Sequence, residues 1–200
     1  MSAATDVPLW LQPTVDAPWA THRLSLPEVQ CAVDVPDGWW STDAPATEGA
    51  ETSCEFVGAS PVEWLTIRHV TNEPDASGEL ANWVLGTVRA IGFPVIPPSQ
   101  LLIDIPELVQ WGGVGGDSDR AAASALQVAE ARLYDGTARW GPPDEGRFLH
   151  FYVVLAERGR DAWNIALGFD SAALPSVPAD LVARDDHARA AAILSGLELS

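Results

Sequence analysis

The stretch Arg147–Phe169, RFLHFYVVLAERGRDAWNIALGF, decides the fold of this chain. Successive side chains of a strand point to opposite faces, and both faces of Arg147–Ala156 are largely apolar. Asp161–Phe169 forms the second strand, and Glu157–Arg160 between the two strands includes a glycine that suits a turn. The pattern therefore predicts an antiparallel strand pair at the centre of a sheet that is covered on both faces.

Shorter alternating segments on either side of this pair predict further strands. They span Arg23–Leu26, Val29–Val35, Thr52–Val57, Glu63–Val70, Leu101–Ile105, Val128–Tyr134 and Thr137–Trp140. Asp135-Gly136 lies between the last two of these segments and is typical of a hairpin turn.

Three segments predict helices. In Glu79–Ile91 the apolar residues recur at helical spacing, with Ser77 as N-cap and Gly92 as C-cap. The alanine-rich segment Asp117–Gln127 predicts a short helix, and Ala179–Leu194 predicts a closing amphipathic helix. Strands, a helix, more strands and a final helix indicate an α+β fold, an antiparallel β-sheet covered by helices.

The 200 residues fit one domain, since a single core serves roughly 100–200 residues. Residues 1–22 contain three prolines that flank two tryptophans, so we predict an extended arm there. Residues 23–200 form the predicted single α+β domain. Trp10 and Trp19 on the arm must cover either their own domain or a partner, and the sequence leaves both possibilities open.

The charge is strongly negative, with 28 acidic and 11 basic residues and a net charge of −17. Such a field repels phosphate backbones and anionic headgroups, so we expect neither nucleic acid nor a membrane as a partner. Another protein is expected instead, and a basic one is electrostatically compatible, although the charge also serves solubility alone. All basic residues are arginine, so neither a phosphate-loop lysine nor a Schiff-base lysine exists.

The first eight residues lack the basic and apolar regions of a secretory signal. No run of about 18 apolar residues, the length of a membrane span, is present. We therefore expect a cytoplasmic protein, and the absence of lysine together with the abundance of alanine is typical of a GC-rich bacterial genome.

No catalytic motif accompanies the histidines. His22, His69, His150 and His187 are dispersed along the chain, and no serine lies in a GxSxG sequence. We predict no catalytic residue, and the alternative is an enzyme whose site is assembled in space around His69 or His150.

No metal site or cofactor is predicted either. Adjacent residues on a helix point about 100° apart, so Asp185-Asp186-His187 cannot converge on one ion, and we interpret the acids as helix-start charges. Cys31 and Cys54 lie in alternating apolar runs and are expected as buried free thiols. Their sulfurs would lie close if the two strands were neighbours.

Tryptophan is the unusual residue, with nine copies in the chain. Trp39 and Trp40 are adjacent, so on a strand one faces inward and the other outward. An exposed tryptophan is a common anchor of protein interfaces. We predict partner binding through Trp10, Trp19 and Trp40.

Val35-Pro36-Asp37-Gly38-Trp39 resembles the opening "hydrophobic-x-x-P-x-G-W" of the PsbP-like superfamily. That superfamily includes the photosystem oxygen-evolving subunit, Mog-type Ran-binding proteins, LpqN-like lipoproteins and Rhs-effector chaperones. The element order over residues 28–197 is similar too, although residues 94–127 are longer and richer in proline and glycine than the pattern requires. The resemblance implies an α/β/α sandwich whose members mostly bind proteins, and it transfers no binding residue.

The leading prediction is a non-enzymatic protein-binding module, a chaperone or adaptor, of a bacterial cytoplasmic system. Beside the enzymatic alternative stands a third possibility, a structural subunit that docks through the arm of residues 1–22.

Overall fold

The computed structural model describes residues 8–12, 19–41, 45–58, 63–71, 109–113, 115–140, 147–172 and 179–200. The predicted helix Glu79–Ile91 and the predicted strand Leu101–Ile105 lie outside these residues.

The described residues contain eleven strands and two α-helices. In chain order the strands are β1 Thr21–Leu26, β2 Cys31–Pro36, β3 Trp40–Ser41, β4 Ala46–Glu48, β5 Glu51–Val57, β6 Trp64–Thr71, β7 Val109–Gly113, β8 Glu130–Trp140, β9 Arg147–Arg158, β10 Asp161–Ala172 and β11 Glu198–Leu199. The helices are α1 Asp117–Leu126 and α2 Ala179–Leu194, and a 3-10 turn spans Leu9–Leu11. The predicted α+β class is confirmed in its coarse form, a mostly antiparallel sheet with few helices.

The strands form two antiparallel sheets. The larger sheet has the order β3-β5-β6-β10-β9-β8-β7, with β4 also paired to β5. The smaller sheet has the order β1-β2-β11. Strand β1 begins at Thr21, two residues before the predicted start of the domain.

The predicted strand pair lies at the centre of the larger sheet. Strands β9 and β10 are joined by a turn at Gly159, whose φ of 67° suits glycine because other residues rarely adopt it. Both faces of β9 are buried, as predicted. The face that carries Tyr152, Val154 and Ala156 is called the core face. The face that carries Phe151, Val153 and Leu155 is called the far face.

The hairpin predicted at Asp135-Gly136 is wrong. Strand β8 runs without interruption through both residues, with Asp135 opposite Tyr152 and Gly136 opposite Phe151. On its other side β8 pairs with β7, which places Trp111 opposite Gly136. Two neighbouring strands hold the segment extended, so the local preference of Asp-Gly for a turn is overridden.

The smaller sheet, both helices and the 3-10 turn contribute to one hydrophobic core against the core face. Val29, at the end of a second 3-10 turn before β2, accepts a hydrogen bond from Trp163 Nε1 at 2.9 Å. From α2 the buried residues Ala190, Ile193 and Leu194 join the same core. Within the described residues, no helix is long and apolar enough to cross a membrane.

Candidate functional site

Trp10 lies inside its own domain. Its side chain is 2% exposed, and its ring packs on Tyr152 of β9 with the centroids 5.4 Å apart. Of the two possibilities that the sequence left open, the contacts of Trp10 correspond to coverage of its own domain.

Trp19 is half-buried at the same side of the larger sheet. Its ring lies 5.9 Å from Trp39 and 5.7 Å from Phe169, measured between centroids. The guanidinium of Arg189, on α2, lies 4.6 Å from the centroid of the Trp19 ring, a cation–π distance. These contacts attach the second tryptophan of the N-terminal segment to the domain as well.

Trp40 differs from both. Its side chain is 54% exposed, although it is large and apolar. Trp39, directly before it, is half-buried against Trp19 and Phe169, so the adjacent pair divides between inside and outside as predicted.

The strand register shows which face Trp40 occupies. Directly opposite residues of paired strands project to the same face, and Trp40 lies opposite Val57, which lies opposite Trp64. The row continues through Gly168 to Phe151, so Trp40 stands at the outer end of the far face. A methyl group at Gly168 would lie 2.2 Å from the Trp64 ring, so the inner end of the row is tightly packed.

Acidic side chains share this end of the far face. Residues two apart on a strand point to the same side, so Glu55 and Glu51 project with Val57. Glu48 of β4 lies opposite Glu51 and adds a third carboxylate. We call these five residues the Trp40 surface: Trp40, Glu48, Glu51, Glu55 and Val57.

A second cluster lies between α2 and the core face. Asp186 of α2 is buried, and its Oδ2 lies 2.5 Å from His150 Nδ1 on β9. Its Oδ1 lies 3.8 Å from Arg189, which also lies 3.5 Å from Glu63. The interpretation of Asp186 as a helix-start charge is therefore wrong, because Asp186 lies in the middle of α2 and faces inward.

His187 of α2 forms the other half of this cluster. Its Nδ1 lies 3.0 Å from the Tyr152 hydroxyl. Burial lowers the pKa of His187, and His150 acts in the same direction, whereas Asp135 and Asp186 act against it. Burial, with Asp186 and Asp135, raises the pKa of Tyr152, so its hydroxyl stays protonated and can donate to His187.

His69 is a core histidine at the opposite end of the sheet. It is 2% exposed and stacks on Trp163 at 5.0 Å between ring centroids. Its Nε2 lies 3.1 Å from Asp161 Oδ1. Both histidines of the enzymatic alternative thus lie within hydrogen-bond distance of a carboxylate, and of the two, the His150 side chain is the more exposed at 13%.

The cysteines are free and buried, as expected, but they lie in different sheets rather than on neighbouring strands. Burial, and then the nearby Cys54, raises the pKa of the Cys31 thiol to about 12. Burial also raises the pKa of Cys54. A thiol that stays protonated is a poor nucleophile.

In the part of the chain that the structure describes, no group of three or more histidine, cysteine or acidic side chains is arranged to hold a metal ion.

Sequence reasoning named His150, Asp186 and His187, but it did not bring the two segments together. The pairing depends on α2 lying across β9, which no local pattern encodes. The cation–π contact of Arg189 with Trp19 was missed for the same reason, since 170 residues separate the two.

No protein-family model matches this sequence. No curated protein matches it either. Among solved structures, the chain is similar to the solution structure of cyanobacterial PsbP (CyanoP) from Synechocystis sp. PCC 6803, with 12% identity and a TM-score of 0.47 over 90% of this chain and 92% of that one. A likeness at this level concerns the course of the backbone and says nothing about function.

Proposed function

We propose that this chain is a non-enzymatic protein-binding module, a chaperone or adaptor of a bacterial cytoplasmic system, and that Trp40 anchors its partner. The observation that carries the proposal is the 54% exposure of Trp40, a large apolar side chain that its own domain leaves uncovered. An exposed tryptophan loses apolar hydration and little side-chain entropy when a partner covers it, which is why tryptophans dominate binding energies at interfaces.

The way in which neighbouring strands and Trp39 fix the position of Trp40 supports this role. Strand β3 pairs with β5, and β5 pairs along its whole length with β6 of the central sheet. Trp39 is held between Trp19 and Phe169 immediately before it. A side chain on such a frame is oriented before the partner arrives, so association costs less conformational entropy.

Trp10 and Trp19 take a supporting part in this proposal. Trp10 packs on Tyr152, and Trp19 packs on Arg189 and Trp39, so both attach the N-terminal segment to the domain. Because Trp10 and Trp19 pack on their own domain, we expect Trp40 to contact the partner directly. We further propose the finer architecture that the sequence resemblance implies, an α/β/α sandwich of the PsbP-like type.

The partner is proposed to be another protein with a basic surface, since the net charge is −17. The enzymatic alternative has the His150–Asp186 pair as its observation. The pair is also part of the contact between α2 and β9, and Asp186 shares its second oxygen with Arg189, so a structural role accounts for it.

The test is recovery of native partners by tagged protein from host lysate, quantified by mass spectrometry. Trp40→Ala is expected to lower recovery of the specific partner at least tenfold, because an interface tryptophan contributes about 2 kcal/mol or more. His22→Ala, an exposed substitution on the smaller sheet, is the matched control. Deletion of residues 1–22 is unsuitable, because it removes the buried Trp10 from the core.

An unchanged set of partners with Trp40→Ala would overturn the proposal. Circular dichroism and urea unfolding of each variant would show that the loss of partner is not a loss of fold.

A further inference from the structure

The Trp40 surface has a regular arrangement along one strand. On β5 the far-face side chains are Val57, Glu55, Ser53 and Glu51, at every second residue. Strand β3 places Trp40 beside Val57, and β4 places Glu48 beside Glu51. The surface is therefore apolar at one end and acidic from Glu55 onward.

The exposure of these side chains fits a surface that binds a partner. Glu48 and Glu55 are exposed, the Glu51 side chain is 41% exposed, and Val57 is half-buried beside Trp40. Arg68 of β6 lies opposite Ser53 of β5, and its side chain lies 3.7 Å from Glu51, at the edge of an ion-pair contact. Three carboxylates against one arginine leave this end of the far face negative.

Spacing gives the complementary ligand a definite form. An extended peptide advances about 3.3 Å per residue, as β5 does, so its side chains on one face meet those of β5 at every second position. A residue opposite Val57 would be followed by one opposite Glu55 two residues away and one opposite Glu51 six residues away. Those two positions are about 7 Å and about 20 Å from the apolar end.

We propose that the Trp40 surface binds an extended basic segment of a partner protein. An apolar side chain of this segment packs on Trp40 and Val57, and arginine or lysine at two and six residues from it pairs with the carboxylates of Glu55 and of Glu51 with Glu48. The inference rests on the proposed protein-binding function and adds the chemistry and spacing of the ligand. A second copy of this chain fits poorly, since each copy carries a net charge of −17 and no lysine.

Two synthetic peptides of identical composition test the spacing. The first, Leu-Ser-Arg-Ser-Thr-Ser-Arg, has arginine at its third and seventh positions. The second, Leu-Arg-Ser-Thr-Ser-Arg-Ser, has arginine at its second and sixth positions, on the opposite side of an extended chain. Fluorescence anisotropy of labelled peptides at low ionic strength is expected to give the first peptide an affinity about tenfold higher than the second.

Variants of the protein locate the binding. Trp40→Ala, and separately the double variant Glu51→Gln with Glu55→Gln, should each weaken the first peptide about tenfold. The matched control, Glu28→Gln with Glu130→Gln, removes two exposed carboxylates elsewhere and the same net charge, and should change the affinity less than twofold.

Equal affinity for both peptides, no measurable binding of either, or an equal effect of both double variants would overturn the inference. If Trp40→Ala weakens peptide binding but Glu51→Gln with Glu55→Gln does not, the ligand is apolar rather than basic. That result would overturn the inference and leave the proposed function standing. Conversely, if Trp40→Ala keeps all native partners, the proposed function fails with it. A dimer in size-exclusion chromatography that Trp40→Ala dissociates would identify a second copy as the occupant and would also overturn the inference.

Discussion

The Trp40 surface and the cluster beneath α2 use the same kinds of residue for opposite purposes. Each combines a tryptophan with carboxylates and an arginine, yet Trp10 beneath α2 is 2% exposed and Trp40 is 54% exposed. Beneath α2, Asp186 meets both His150 and Arg189, so its charge is compensated inside the protein. At the Trp40 surface the carboxylates of Glu48 and Glu55 face solvent. The difference indicates that the first region holds the fold together and the second is available to a partner.

The largest expected effect is the difference in the free energy of unfolding between the Trp10→Ala and Trp40→Ala variants. Trp10→Ala should lower the free energy of unfolding by about 4 kcal/mol, because it removes a large buried side chain from Tyr152 and leaves a cavity. Trp40→Ala should change it by less than about 0.5 kcal/mol, as is usual for exposed sites. Urea unfolding of the two variants measures both values. Equal losses would remove the distinction between a structural and a binding tryptophan.

A second, smaller effect concerns the buried ion pair. Asp186→Asn should destabilise the fold by about 2 kcal/mol, since it replaces a buried charged acceptor that His150 and Arg189 share. Asp37→Asn is the control, because Asp37 lies 2.9 Å from His22 in a pair that is exposed on both sides. An exposed pair contributes little, so that variant should lose less than about 0.5 kcal/mol in the same urea measurement. If the two variants lose the same amount of stability, the cluster beneath α2 does not hold the fold together.

The smallest effect is on the pH dependence of stability. Burial holds the pKa of His187 below its ordinary value of 6.5, so the unfolded chain takes up a proton first as the pH falls. The contribution of this group to the free energy of unfolding is therefore fully present above about pH 6.5. It decreases as the pH falls below 6.5 and stops decreasing once the pH is below the folded-state pKa. His187→Gln should flatten the profile of unfolding free energy between pH 7 and pH 5, measured by urea unfolding at each pH. A profile of His187→Gln that parallels the wild type would show that burial of this imidazole has no consequence for stability.

Local pattern was sufficient where a segment decides its own structure. The apolar run on both faces of Arg147–Ala156 predicted a central strand, because such a strand is stable only when both faces are covered. The turn around Gly159 followed from the backbone freedom of glycine. The adjacent tryptophans 39 and 40 had to divide between inside and outside, which the structure confirms.

Local pattern was insufficient where contacts with a distant segment decide the local structure. Asp135-Gly136 has the composition of a turn, but the pairing of β8 with both β7 and β9 keeps it extended. Asp186 was interpreted as a helix-start charge, although it lies in the middle of α2 and faces His150. The cysteines were considered as possible neighbours, and the division into two sheets separates their strands.

The sequence by itself determined the α+β class, the central strand pair, the negative charge and the surplus of tryptophan, because periodicity and composition are properties of the chain alone. Only the tertiary structure decided that Trp40 stays exposed while Trp10 is buried, that Glu48 and Glu55 face solvent on the same surface as Trp40, and that Asp186 is buried against a histidine. Those outcomes depend on strand order and on the position of α2, and both arise from contacts between residues far apart in the chain.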